Sequence, residues 1–170
     1  MQRSTTAVLI LALAGVAPAA LATDVDLRLG VRSFADERWP EVGVAAALGP
    51  DDRLVRPAFG AAVASEPIFG GTVLEGSAGL AGDFRRRGRL AASWGLGAAL
   101  LDYSYGPNDG DATAGYAELG LRWVRADGID FGVNVRYLDG SDVELRVAGS
   151  GDPGFRESIS TVVVSYVMRW

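Results

Sequence analysis

From residue 25 onward the chain alternates apolar with polar or small positions at a period of two, the mark of strands that bury one face. Eight such stretches can be read. The first sets Val25, Leu27, Leu29 and Val31 against Asp26, Arg28, Gly30 and Arg32. The second sets Val42, Val44, Ala46 and Leu48 against Glu41, Gly43, Ala45 and Ala47. The other six carry Phe59 and Val63, Leu74 and Leu80, Leu96 and Leu100, Leu119 and Trp123, Val133 and Tyr137, and Val164 and Tyr166 on their apolar faces. Links after the second, fourth and sixth stretches are short, around residues 50–52, 84–88 and 126–128. Residues 104–113 and 138–155 read as longer Gly- and Asp-rich loops, and residues 35–40 as a modest one. Short turns on one side and longer loops on the other predict an all-β fold: an eight-stranded, antiparallel, up-and-down transmembrane barrel. The first strand, residues 24–34, and the last, residues 158–170, are then the partners left to close the ring.

Alternation alone does not say which face is inside. The apolar faces hold no charge. The opposite faces carry Asp26, Arg28, Arg32, Glu41, Arg56, Glu75, Glu118, Arg122, Asp130, Arg136 and Arg169, and are otherwise crowded with Gly, Ala and Ser. Small residues have no reason to dominate a solvated face, but the lumen of an eight-stranded barrel has room for little else beside long charged chains. The bulk of Trp94, Trp123, Trp170, Phe59, Phe131, Tyr137 and Tyr166 would not fit there. The apolar face therefore points out and the charged face in. Phe84, Trp123 and Trp170 fall at the short-turn ends of strands. Phe34, Trp39, Tyr103, Tyr105, Tyr116, Tyr137 and Phe155 fall towards the loops, which predicts two aromatic belts.

The first residues change the address. Arg3 precedes an apolar run over residues 7–17, Pro18 breaks it, and Ala20-Leu21-Ala22 offers small residues at a cleavage site. This is the pattern of a secretory signal peptide over residues 1–22, with residues 23–170 as the mature barrel. The run is too short to cross a hydrocarbon core of roughly 30 Å as a helix.

Composition removes much chemistry. All 16 basic residues are Arg, and the chain has no Cys and no His. It therefore lacks a thiolate nucleophile, a disulfide, the usual general base, the commonest zinc ligand and a Schiff-base lysine. A net charge of −5 argues against a nucleic-acid partner.

The chain ends VVVSYVMRW, with Val162, Val164, Tyr166, Met168 and the final Trp170 at alternate positions. This resembles the C-terminal signal read by the outer-membrane assembly machinery. With the leader and the eight strands, the mature chain is similar to the small outer-membrane barrels of Gram-negative bacteria, of the OmpA-transmembrane-domain and OmpX type. The resemblance is architectural and matches no subfamily motif. It implies a monomer in the bacterial outer membrane, among outer-membrane lipids, delivered by that machinery through its last strand. Enzymes among such barrels rely on a His, which this chain lacks, so no catalytic residue and no cofactor is expected.

The candidate site is thus a charge network in the lumen: Arg28, Arg32, Glu75, Glu118, Arg122, Asp130, Arg136 and Arg169. Buried charges are normally paired, so structural ion pairing is the expected role. Residues 106–111 and 139–142 are rich in oxygen ligands but lack EF-hand spacing, and ordinary turns use the same residues, so no metal is expected. The basic run Arg85-Arg86-Arg87-Gly88-Arg89 falls in a periplasmic turn. It would meet anionic headgroups or the cell wall, or remain a solvated turn, the plainer reading. The expected function is a structural or surface-interaction role with a plugged lumen. The alternatives are a narrow pore or a conduit for a small hydrophobic molecule, and a soluble periplasmic ligand-binding barrel.

Overall fold

The computed structural model describes residues 22–34, 37–49, 54–66, 70–105, 108–125, 129–140, 143–144, 146–147, 156–157 and 160–169. Nearly all of the expected leader, the run at 151–155 and Trp170 lie outside the described residues. Eight long strands form the molecule: β1 (Ala22–Phe34), β2 (Glu37–Leu48), β3 (Arg56–Ser65), β4 (Thr72–Arg87), β5 (Leu90–Tyr105), β6 (Asn108–Trp123), β7 (Asp130–Gly140) and β8 (Ser160–Arg169). Each pairs antiparallel with the next in sequence. β8 pairs with β1 from Asp26↔Arg169 to Arg32↔Val163 and closes the ring. Closure leaves no edge, which satisfies backbone donors and acceptors within the sheet.

The register is staggered. Followed across neighbouring strands, Arg28 leads to Gly43, Ala62, Glu75, Leu101 and Ala112, a path that climbs from mid-strand to the loop end. Tilted strands in a closed barrel require this shear. It places residues far apart in strand position at one height in the lumen.

Several boundaries differ from the sequence reading, and of the modest loop expected at 35–40, residues 37–40 are strand paired to β1. The expected loop at 104–113 is largely strand, because β5 and β6 stay paired from Leu90↔Trp123 to Tyr105↔Asn108. Asp109 and Asp111 are therefore strand residues on an exposed face, not loop ligands. Likewise β4 runs on to Arg87, past a bulge between Asp83 and Arg85, and the hairpin turns at Gly88 with φ of +62°. Only Gly adopts that conformation without strain. The β7–β8 link folds partly as sheet, with Val143–Glu144 paired to Arg156–Glu157 and Arg146–Val147 paired to Asn108–Asp109 of β6.

The faces divide as the alternation dictates. Leu29, Leu80, Leu96, Leu100, Leu119, Val133, Val164 and Tyr166 are exposed on the outer wall. Arg32, Arg56, Glu75 and Arg122 are buried inside. A water-soluble barrel has the opposite distribution.

Candidate functional site in the barrel lumen

The two halves of the inner wall differ in size. β2 to β5 present mostly Gly, Ala and Ser: Gly43 and Ala45, Ala58 and Gly60, Ser77 and Gly79, Gly95 and Gly97. β1, β6, β7 and β8 present the long chains Arg28, Arg32, Glu118, Arg122, Arg136 and Arg169. The long groups thus reach across into space that the small ones leave.

At the loop end the lumen is apolar. Trp39, Val73, Leu101, Tyr103, Leu138 and Val163 pack together, none more than 2% exposed. This corrects the expected loop-end belt: Trp39 and Tyr103 face inward. Tyr116 also lies inside, with the Arg136 guanidinium 3.9 Å from its ring centroid. Its ring lies over β4 and β5 because Gly79 and Gly97 pair there; a Cβ on Gly97 would stand 2.7 Å from the ring, and one on Gly79 2.7 Å from the hydroxyl. The outer aromatics among the described residues include Tyr137 towards the loops and Phe84 and Trp123 at the turn end.

Beneath the apolar layer Glu75 binds both Arg32 and Arg136, the latter at 2.5 Å, and Arg32 also donates through Nε to Glu41 at 2.6 Å. Next, Arg28 donates both terminal nitrogens to Glu118 at 2.6 and 3.0 Å, and Asn134 donates to the same carboxylate at 2.9 Å. Arg169 then clasps Asp26 and reaches Asp24 at 3.3 Å, and Asp24 meets Arg56 at 2.6 Å. At the turn end Arg122 holds Asp83 at 2.6 Å and Asp130 at 3.1 Å. All eight sequence candidates lie in the lumen, but in successive layers rather than one cluster.

To the six Arg and five acids expected on the inner faces the structure adds Asp24 and Asp83. Asp24 stands at the start of the expected first strand in phase with Asp26, and Asp83 continues the period of Ala81, so the alternation alone places both inside. A cavity of about 30 Å³ remains between Arg28, Ser77, Tyr116, Glu118 and Arg136, space for about two waters. The Nε of Arg28 and the Nε and Nη2 of Arg136 are buried without a protein acceptor. Each lumen carboxylate named above sits on a guanidinium and accepts its N–H groups. Among the described residues no group of three His, Cys, Asp or Glu side chains gathers as a metal site. On β8, Val162, Val164 and Tyr166 face out, and Met168 follows at the same alternation.

No protein-family model matches the chain, and no curated protein matches it. Solved structures do. Neisserial surface protein A superposes with a TM-score of 0.64 at 14% identity, covering 86% of this chain and 93% of its own. The fold is that of the small eight-stranded outer-membrane barrels. The N-terminal β-barrel domain of Pseudomonas aeruginosa OprF gives 0.53 at 12% identity, covering 88% and 98%. The outer-membrane enzyme PagL gives 0.52 at 12%, covering 86% and 98%. An enzyme shares this outer-membrane barrel fold with a surface protein, so architecture does not choose between roles.

Proposed function

We propose that the chain is an integral outer-membrane barrel whose lumen is plugged by its own side chains, serving a structural or surface-interaction role and not catalysis. One observation carries this reading: charge is buried and apolar surface is exposed. Arg32 is 1% exposed while Leu100 is 67% exposed. Bulk water would penalise both; a lipid surround rewards the second and an ion-paired lumen tolerates the first. In this reading residues 1–22 are removed on export, the short turns face the periplasm, and the C-terminal strand engages the assembly machinery. The protein works as a monomer among outer-membrane lipids.

The layered lumen supports the plug. Apolar packing lies under the loops, and the ion pairs below it span the wall from β1 to β6 and from β4 to β7. Purified protein in a planar bilayer is expected to show little steady conductance. A stable open channel that Glu118→Ala leaves unchanged would sink the plug and establish a pore. Extraction from membranes is expected to require detergent; release by salt or carbonate alone would favour a soluble periplasmic barrel.

A further inference from the structure

We infer that the turn end of the barrel is a docking rim for anionic phospholipid headgroups, centred on the β4–β5 turn. This rests on the membrane-barrel reading above. Arg85, Arg86 and Arg87 stand in register with Ala92, Ala91 and Leu90 at the very end of the hairpin, and Arg89 is exposed in the turn. The Val124 N–H donates to the Arg89 carbonyl at 2.8 Å, which sets the β6–β7 link beside that turn. There Arg125 is exposed, its guanidinium 5.8 Å from the Phe131 ring centroid.

The acids nearby do not neutralise this edge. Asp83 and Asp130 are both held by Arg122 at the lumen mouth. Asp127 offsets one charge, and the β2–β3 link at the same end adds Asp51, Asp52 and Arg53, which leaves the basic residues of this end in excess. At the other end the exposed charged side chains among the described residues are mostly acidic: Glu37, Asp102, Asp109, Asp111 and Asp139 against Arg38. Charge is therefore polarised along the barrel axis, which solubility alone would not require.

The neighbours of the basic turn say what it meets. Phe84 is 61% exposed and Trp123 is 62% exposed. Trp94 leans on Phe84, with ring centroids 6.1 Å apart. Aromatic rings of this kind sit at headgroup level. The turn is Gly88 and Arg89 alone, so Arg89 and the strand end that carries Arg85, Arg86 and Arg87 stay close to that level rather than extending towards a distant partner. Guanidinium binds phosphate through paired N–H groups, and basic residues at a membrane surface favour anionic lipid.

Tryptophan quenching in vesicles tests this. The full protein would be inserted into phosphatidylcholine vesicles containing brominated phosphatidylglycerol or brominated phosphatidylcholine as the minor lipid. Trp94 and Trp123 report from the outer wall at the turn end, while Trp39 is shielded in the lumen. The expected result is equal quenching at about fivefold less phosphatidylglycerol than phosphatidylcholine. Replacing Arg85, Arg86, Arg87 and Arg89 with Gln should bring the two lipids to parity, and Arg38→Gln at the loop end should not. Should the fourfold variant fail to fold, the wild type in about 1 M salt serves instead, since screening at that strength should also abolish the preference. Equal quenching in the wild type at low salt overturns the docking rim while leaving the membrane barrel intact. A preference that survives the four substitutions assigns it elsewhere and overturns this site. No quenching by either lipid overturns the membrane-barrel reading itself.

Discussion

Glu75 pairs with two buried guanidinium groups at once, those of Arg32 and Arg136. Removing its charge leaves two buried cations short of a partner. Glu75→Gln is expected to lower the unfolding free energy by about 3–5 kcal/mol, read from urea titration in micelles. Changing Arg136 to Met in the same chain should recover part of that loss, because an unpaired charge goes with it. The glycines under Tyr116 make a second test. A Cβ on Gly97 would stand 2.7 Å from both the Gly79 Cα and the Tyr116 ring, whereas one on Gly76 meets nothing within 4 Å. Gly97→Ala should cost about 1–3 kcal/mol by overpacking, and Gly76→Ala should stay within about 0.5 kcal/mol. A larger loss at Gly76 than at Gly97 would contradict the inward placement of Tyr116.

At the scale of the strand, facing is the property to test. Leu96 is 55% exposed on the outer wall of β5, and Ser93 is 9% exposed on its inner wall. Leu96→Arg should cost roughly 2–4 kcal/mol in a bilayer, and Ser93→Ala about 1 kcal/mol. The first variant should lose the mobility shift between unheated and boiled gel samples while the second keeps it; equal behaviour would count against the assignment. Facing was legible because one-residue errors invert a whole strand, and the charges of Arg28, Glu118 and Arg136 fix that phase. Strand length was less legible. Asp109 and Asp111 look like loop residues, yet they continue the β5–β6 ladder beyond the apolar band. The same limit hid Asp83 from the charge network and moved Trp39, Tyr103 and Tyr116 to the wrong face. Aromatic identity marks a belt only where the phase of alternation agrees, and these three fall on the phase of the small and charged residues.

For the whole molecule, closure and charge pairing are a single event. The expected outcome is cooperative: far-UV strand signal and the compact unheated gel band should vanish together along a urea series, and a plateau between them would reveal a stable open sheet. Sequence distance explains why. Arg28 and Glu118 are 90 residues apart, and Arg169 and Asp26 are 143 apart. Contacts of such span are slow to form, since the chain loses its freedom long before they reward it. β1, first in the described chain, waits for β8, the last, to cover its open edge. Until then an aggregation-prone strand edge and a row of unmatched charges travel together. The seam between first and last strand thus gives the nascent chain a period of dependence: it needs an escort through water for as long as its two ends have not met.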